Sequence, residues 1–297
     1  MNYKVSTSIL EQMRILLQQG QTATQVAKKL NLYPGTVLKY KRKYQLIPNR
    51  APITKNENYF ENLDTAEKVY WLGFIWADGC IMTFVRSKAL VICLSSADRD
   101  HLEKFSKAIE YGGEIREYTN TMTLLANPNA VTKDYTQIRL PIYSKKLYDD
   151  LINLGLTPRK TYGVPDFSKI PKEFISHFIR GYFDGDGTAA FYKRTDSTDA
   201  MRIKVSITGQ KESMVELKKL IEDDSGIHLN IYPHKDNNRT IELPGFSSML
   251  KFKDYLYKDA TKLTYLERKH NKFLEAEKYF LGGTYGQKHF GDREPGS

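Results

Sequence analysis

The sequence predicts an α+β fold of two pseudo-symmetric αββαββα halves, preceded by a small all-α helix-turn-helix domain. WLGFIWADG at 71–79 recurs 108 residues later as IRGYFDGDG at 179–187, and each copy is followed by the same order of β-rich and helix-periodic segments. Residues before 48 show helical periodicity alone. The predicted organisation is a helix-turn-helix DNA-binding domain at 1–47, a linker at 48–62, halves at 63–163 and 164–282, and a flexible tail at 283–297.

The first 47 residues carry the spacing of a helix-turn-helix. Ser6 can cap a first helix that ends near Gly20, a second helix is expected over 22–30, and a third begins near Pro34. The small, turn and inward-facing positions of such a motif fall at offsets 0, 4, 10 and 13, which here are Ala27, Asn31, Val37 and Tyr40. Asn suits the turn position because it tolerates left-handed backbone.

Positive charge is concentrated in this N-terminal segment. Residues 1–50 contain nine Lys/Arg and one Glu, a charge of +8, while the whole chain carries +10. A run of charge on a helix is often only a solvated face, but charge and helix-turn-helix spacing together favour nucleic-acid binding. The predicted DNA-contacting residues of the third helix are Thr36, Lys39, Lys41 and Lys43.

The two halves repeat one order of elements after each motif helix: two strands, a helix, two strands and a helix. Alternating strands of this kind bury one face and leave the other polar. In the first half the expected strands are 81–86, 89–96, 114–125 and 135–142, and the expected helices are 98–110 and 144–154. In the second half the strands are 188–194, 201–208, 228–234 and 239–244, and the helices are 212–223 and 247–257.

Each motif helix carries a strip of minimal side chains. Gly73 and Ala77 are spaced i,i+4, as are Gly181 and Gly185, so each pair lies on one helix face. Two such faces can touch backbone to backbone. The motif helices are therefore expected to pack against each other and to end side by side.

Each motif ends on an Asp-Gly pair. Gly79 and Gly187 suit the left-handed position that closes a helix, which places Asp78 and Asp186 in the last turns, where partial negative charge collects. A single Asp-Gly after an apolar run is more often a turn. Two in register predict converging carboxylates, whose repulsion a divalent metal would relieve.

The paired motifs resemble the signature of the LAGLIDADG homing endonucleases in their single-chain form, over roughly residues 59–282. The resemblance implies that the motif helices form the interface between the halves, that saddle-shaped sheets grip DNA, and that Asp78 and Asp186 bind catalytic Mg²⁺. The first copy has Trp71 and Trp76 where Leu and Asp are more usual in the family. The substituted Asp is not the metal-binding one.

The function implied by this resemblance is site-specific cleavage of double-stranded DNA by a monomer encoded on a mobile element. Mg²⁺ would be held by Asp78 and Asp186 with the carbonyls of Ala77 and Gly185, Mn²⁺ could replace it, and Ca²⁺ would allow binding without turnover. Each acid would serve one strand. Intron homing of the element at a long DNA target is the implied role.

Two lysines repeat an offset from the acids. Lys160 follows Asp78 by 82 residues and Lys269 follows Asp186 by 83, both in Arg-Lys pairs. Ordinary surface charge is the alternative interpretation. The matched offset resembles the family's basic residue near each metal site, which would position water or stabilise charge on phosphorus.

The polar faces of the strands are the predicted base-reading surface. In MRIKVSIT, Arg202, Lys204 and Ser206 alternate with apolar residues, so one side presents a polar row that could enter the major groove. Each such residue could equally contact phosphate or water. The other candidates are Arg86, Lys88, Arg139, Lys193, Arg194 and Arg239.

Other chemistries lack their motifs. The six histidines form no HxxxH or Cys-His pattern, and no Gly-rich phosphate loop is present. The two cysteines cannot build a disulfide framework, and no apolar run reaches 18 residues, so a soluble cytoplasmic protein without a membrane partner is expected. Two alternatives remain on the same fold: a non-cleaving DNA-binding regulator, and an intron RNA maturase with RNA as partner.

Overall fold

The computed structural model describes residues 5–19, 21–44, 46, 53–85, 87–123, 132–158, 166–193 and 201–282. The chain divides into two compact units, Met1–Thr54 and Lys55–Ser297. The predicted sites Arg86, Lys160 and Arg194, together with the predicted tail at 283–297, lie outside the described residues.

The first unit consists of three helices, α1 (Thr7–Gln18), α2 (Ala23–Lys29) and α3 (Pro34–Lys43). Thr22 begins α2 with a capping box, since its side chain accepts from the Gln25 amide while the Gln25 side chain accepts from the Thr22 amide. Asn31 has a φ of 52°, the left-handed turn conformation that the spacing requires. The small core of this unit contains Met13, Leu17, Val26, Ala27 and Val37.

The second unit repeats one order of elements twice, and this confirms the predicted αββαββα halves. The first half contains α4 (Ala66–Asp78), β1 (Gly79–Phe84), β2 (Ser87–Ser95), α5 (Arg99–Ala108), β3 (Arg116–Thr123), β4 (Thr132–Tyr143) and α6 (Lys145–Asn153). The second contains α7 (Ile175–Asp186), β5 (Gly187–Lys193), β6 (Met201–Gln210), α8 (Lys211–Ser225), β7 (Asn230–Pro233), β8 (Asn238–Glu242) and α9 (Phe246–Tyr257). A further helix, α10 (Glu267–Gly282), follows and was not predicted.

Each half holds one antiparallel sheet of four strands, with the orders β1-β2-β4-β3 and β5-β6-β8-β7. One face of each sheet is apolar and packs against helices. In β2 this face carries Leu90, Ile92 and Leu94, which join the main core. In β6 it carries Val205 and Ile207, as the alternation in the sequence predicts.

Part of the segment expected to be a linker belongs to the second unit. Tyr59 and Phe60 are buried in the main core, and the Asn56 amide donates to the Ile109 carbonyl at 2.7 Å. Two adjacent aromatic residues show no periodicity, so the pattern of the sequence does not reveal this packing. Thr65, whose side chain accepts from the Lys68 amide, then begins the first motif helix.

Candidate active site

The two motif helices, α4 and α7, touch through their small residues. A Cβ placed on Gly73 would lie 2.0 Å from the Phe178 carbonyl oxygen, and one on Gly181 would lie 2.0 Å from the Tyr70 oxygen. Nearer the C-terminal ends, a Cβ on Gly185 would lie 2.2 Å from the Ala77 Cβ. The predicted backbone-to-backbone packing is therefore present, and any larger side chain would force the helices apart.

The two acids lie at the adjacent ends of these helices. Asp78 is the last residue of α4 and is partly buried, while Asp186 is the last residue of α7 and is exposed. Asp78 Oδ2 lies only 3.2 Å from the Cβ position of Gly185, the residue before Asp186. The carboxylate of the first half thus reaches the last turn of the second half's motif helix.

The glycines after the acids have a role that differs from the predicted one. Gly79 has φ −76° and ψ 154°, and Gly187 has φ −73° and ψ 154°, so both are extended rather than left-handed. They begin β1 and β5 directly. A Cβ would lie 2.7 Å from the Ile75 oxygen at Gly79 and 2.4 Å from the Phe183 oxygen at Gly187. Glycine is needed for space at the abrupt helix-to-strand junction.

Lys269 lies beside the end of α7. Its side chain is buried, and Nζ donates to the carbonyl oxygens of Phe183 and Gly185 at 2.8 Å each. A cation is favourable there, because the C-terminal end of a helix carries partial negative charge. Burial lowers the pKa of Lys269 to about 8, against the opposing attraction of Asp184, Asp78 and Asp186. This lysine is therefore close to the site, as the matched offset suggested.

A buried polar network that the sequence did not reveal crosses the interface between the halves. Asp184 Oδ2 accepts from the Tyr70 hydroxyl and from the Leu266 amide, each at 2.8 Å. The Tyr70 hydroxyl also lies 3.0 Å from His101 Nε2. Burial raises the pKa of Asp184 to about 6, although both hydrogen bonds oppose the rise. Burial lowers the pKa of His101 to about 3, so its imidazole is neutral.

Arg180 fixes the chain that leads to α10. This residue is 1% exposed, and its guanidinium donates to the Thr264 carbonyl at 2.6 Å and to the Leu256 carbonyl at 2.7 Å. Its charge also faces the Tyr70 ring at 5.2 Å. Arg180 and Asp184 occupy motif positions held by Leu72 and Trp76 in the first copy, so only the second motif supplies these charges.

Strand register separates the predicted DNA-contacting residues into two groups. Arg139, Arg202, Lys204 and Ser206 lie on the sheet faces that point away from the helices, although Ser206 is nearly buried and Lys204 pairs with Glu242 at 3.1 Å. On the same faces, sequence reasoning missed Arg116, Asn120, Gln137, Thr208 and Asn238. These residues alternate less clearly with apolar neighbours than those of β6.

Three predicted DNA contacts lie on the wrong face. Lys88 shares the core-side face of β2 and pairs with Asp149 at 2.6 Å. By register, Lys193 lies on the face of the apolar β5 residues, and Arg239 lies on the face of Ile241. The cause is the period of two in a strand, by which a single-residue error in register reverses the face.

The exposed face of α3 differs slightly from the predicted one. A shallow surface depression there is lined by Gly35, Leu38, Lys39, Arg42 and Lys43. Among the predicted contacts, Lys39 and Lys43 are exposed, whereas Thr36 and Lys41 are only partly so. Arg42 was missed because the helix phase was set one residue away from it.

Solved structures show which fold this is. The homing endonuclease I-WcaI, bound to its DNA recognition sequence, has a TM-score of 0.50 and 14% sequence identity over 77% of this chain and 97% of that chain. The protein therefore has the fold of the LAGLIDADG homing endonucleases.

Two further structures are similar at lower scores. I-GzeII in complex with its DNA target has a TM-score of 0.49 and 12% identity, covering 74% of this chain and 94% of that one. I-SmaMI bound to uncleaveable DNA has a TM-score of 0.49 and 13% identity, covering 77% and 98%. No protein-family model and no curated protein matches the sequence. Within the described ranges, no helix is long and apolar enough to cross a membrane.

Proposed function

We propose that this protein is a site-specific double-strand DNA endonuclease that hydrolyses phosphodiester bonds at Asp78 and Asp186 with a divalent metal. The observation that carries the proposal is the contact of α4 and α7 through Gly73 and Gly181, which brings two carboxylates to one end of the interface. The first strand of each sheet starts at the residue after each acid, so the open sheet faces begin beside the acids.

The donor atoms available at this end suit Mg²⁺ or Mn²⁺. Within the described ranges no group of three or more His, Cys, Asp or Glu side chains gathers to form a complete metal cage. Mg²⁺ needs no such cage, because it is usually bound by one or two carboxylates, substrate phosphates and water. Asp78 and Asp186 would supply the carboxylates, and the Ala77 and Gly185 carbonyls could add neutral oxygens. When bound, the metal would activate water and stabilise the charge on the phosphate.

Lys269 would act from the side of the second acid. Its ammonium group contacts the Gly185 carbonyl, one residue before Asp186, so it lies where negative charge builds up as the phosphodiester bond is cleaved. A carbonyl oxygen has two lone pairs, so the bond from Lys269 leaves Gly185 able to accept a second partner. We assign the corresponding role in the first half to Lys160.

The open sheet faces would bind the DNA. Arg139, Arg202 and Lys204 lie there by register and can donate to base edges or phosphates. The N-terminal unit would be a helix-turn-helix and a second DNA anchor, since residues 1–50 contain +8 of the +10 net charge. Its contacting residues would come from the exposed face of α3, which carries Lys39 and Lys43.

Cleavage of a random DNA library tests the proposal for any target sequence. The protein is incubated with a large pool of random duplexes and Mg²⁺ or Mn²⁺, and the new ends are sequenced. A single long target cut on both strands is expected. Asp78→Asn and Asp186→Asn should each abolish double-strand cleavage while DNA binding persists, because each removes a ligand and a charge that repels phosphate. Asp223→Asn, which removes an exposed carboxylate from α8, is the matched control.

Two outcomes contradict the proposal. If both acid variants cut both strands at the wild-type rate, the acids are not the active site. If the wild-type protein binds duplex DNA but cuts nothing with either metal, the non-cleaving regulator is correct. Preference for a structured intron RNA over every duplex would instead indicate the maturase.

A further inference from the structure

A bidentate ion pair joins the two halves next to the second acid. Arg268 of α10 donates from Nε to Asp98 Oδ1 at 2.7 Å and from Nη2 to Asp98 Oδ2 at 2.9 Å. Asp98 belongs to the first half and is 8% exposed, while the side chain of Arg268 is 56% exposed. A forked guanidinium–carboxylate pair fixes orientation as well as distance.

Asp98 is placed for this contact rather than for its own helix. It is the N-cap residue of α5, yet its side chain makes no capping hydrogen bond. Its carboxylate reaches across to Arg268 instead. The positive end of the α5 dipole still favours the charge, so the ion pair does not depend on Arg268 alone for its electrostatic support.

The ion pair holds the turn of chain that carries Lys269. The Lys269 amide donates to the Leu266 carbonyl at 3.0 Å, and the Leu266 amide donates to Asp184. Residues 266–269 thus form one hydrogen-bonded turn, fixed on one side by Asp184 of its own half. Asp98 fixes the other side from the opposite half, and Lys104 of α5 adds a 3.5 Å hydrogen bond to the Tyr265 carbonyl.

We propose that Asp98 and Arg268 are positioning residues, through which the first half sets the place of Lys269 beside the second acid. The inference rests on the proposed function, including the role of Lys269 in cleavage. Neither residue of the pair touches the reacting atoms. Without the pair, the first turn of α10 is anchored by its own half only, and the ammonium group loses its fixed position against the Gly185 carbonyl.

The test follows nicking and linearisation of a supercoiled plasmid that carries the target site, at saturating protein. Asp98→Ala should slow cleavage of one strand about 10-fold, because small misplacement of a catalytic group costs one to two orders of magnitude, and nicked plasmid should accumulate. Binding to the target should be unchanged. Asp100→Ala is the matched control, since it removes an exposed carboxylate two residues away on the same helix.

A double-mutant comparison decides whether the pair acts through Lys269. Lys269→Met should slow the same strand at least as much, and adding Asp98→Ala to it should cause no further loss. Arg268→Ala should reproduce the defect of Asp98→Ala, and it serves as the test if Asp98→Ala does not fold.

The proposal is overturned if both single variants cut both strands at the wild-type rate, or if the effects of Asp98→Ala and Lys269→Met multiply. These results differ from failure of the proposed function. In that case Asp186→Asn would cleave like the wild type, or the wild type would not cleave at all. If the acids are essential and Asp98→Ala is normal, only the ion-pair inference fails.

Discussion

Replacing Asp184 by Asn should change the stability of the protein by an amount that depends on pH. Burial raises the pKa of this carboxyl from 3.8 to about 6 in the folded state. Between these two values the folded chain binds more protons than the unfolded chain, so stability falls as pH rises and becomes constant above the folded pKa. Asn has the shape of the neutral carboxyl and can still accept from Tyr70 and the Leu266 amide.

The size of the effect follows from the two pKa values. Ionising the buried carboxyl costs about 1.6 kcal/mol of folding free energy at pH 5 and about 3 kcal/mol at pH 8, from the linkage relation. The neutral amide of the variant carries no such cost. The free energy of unfolding of Asp184→Asn minus that of the wild type should therefore increase by about 1.4 kcal/mol between pH 5 and pH 8.

Urea unfolding followed by tryptophan fluorescence measures this difference at both pH values, in EDTA so that no metal contributes. Asp223→Asn corrects for the loss of one carboxylate in general. The reasoning is refuted if the difference between Asp184→Asn and wild type is the same at pH 5 and pH 8, or if it shifts in favour of the wild type at high pH.

Three further predictions concern the interface, the metal and the N-terminal unit. Gly73→Ala should destabilise the protein by about 1–3 kcal/mol in urea unfolding and should slow cleavage, because its Cβ would lie 2.0 Å from a backbone oxygen; Gly282→Ala, with nothing within 4 Å, should do neither. EDTA should stop cleavage, Mg²⁺ or Mn²⁺ should restore it, and Ca²⁺ should support binding alone; full activity in EDTA would refute metal-dependent hydrolysis. Deleting residues 1–54 should weaken DNA binding and flatten its salt dependence while the cut positions stay the same, and unchanged affinity and salt slope in filter binding would exclude a DNA anchor there.

Local repetition made the interface and the acids predictable from the sequence. Gly73 and Gly181 occupy the same place in two copies of one phrase, and small residues four apart must share a helix face. The alternation in β6 similarly indicated the correct face for Arg202 and Lys204, since a strand has a period of two.

Contacts between distant residues could not be predicted in this way. Asp184 and Tyr70 are 114 residues apart, and Asp98 and Arg268 are 170 apart, so no local pattern links them. The incorrect face of Lys88 has a different origin: apolar residues occupy both faces of β2, so the pattern did not fix the register.

The two motif copies differ where the structure places its charges, and this bears on how the two sites are held. In the second copy Asp184 accepts a hydrogen bond from the Leu266 amide and so anchors the turn that carries Lys269. In the first copy the same position is Trp76, a nearly buried indole beside Gly155, which can hold the chain after α6 only by packing. A single chain permits this division, because its two halves need not be identical. Variants that loosen polar contacts should therefore affect the second acid's strand first, while cavity-forming variants at Trp76 should affect the other.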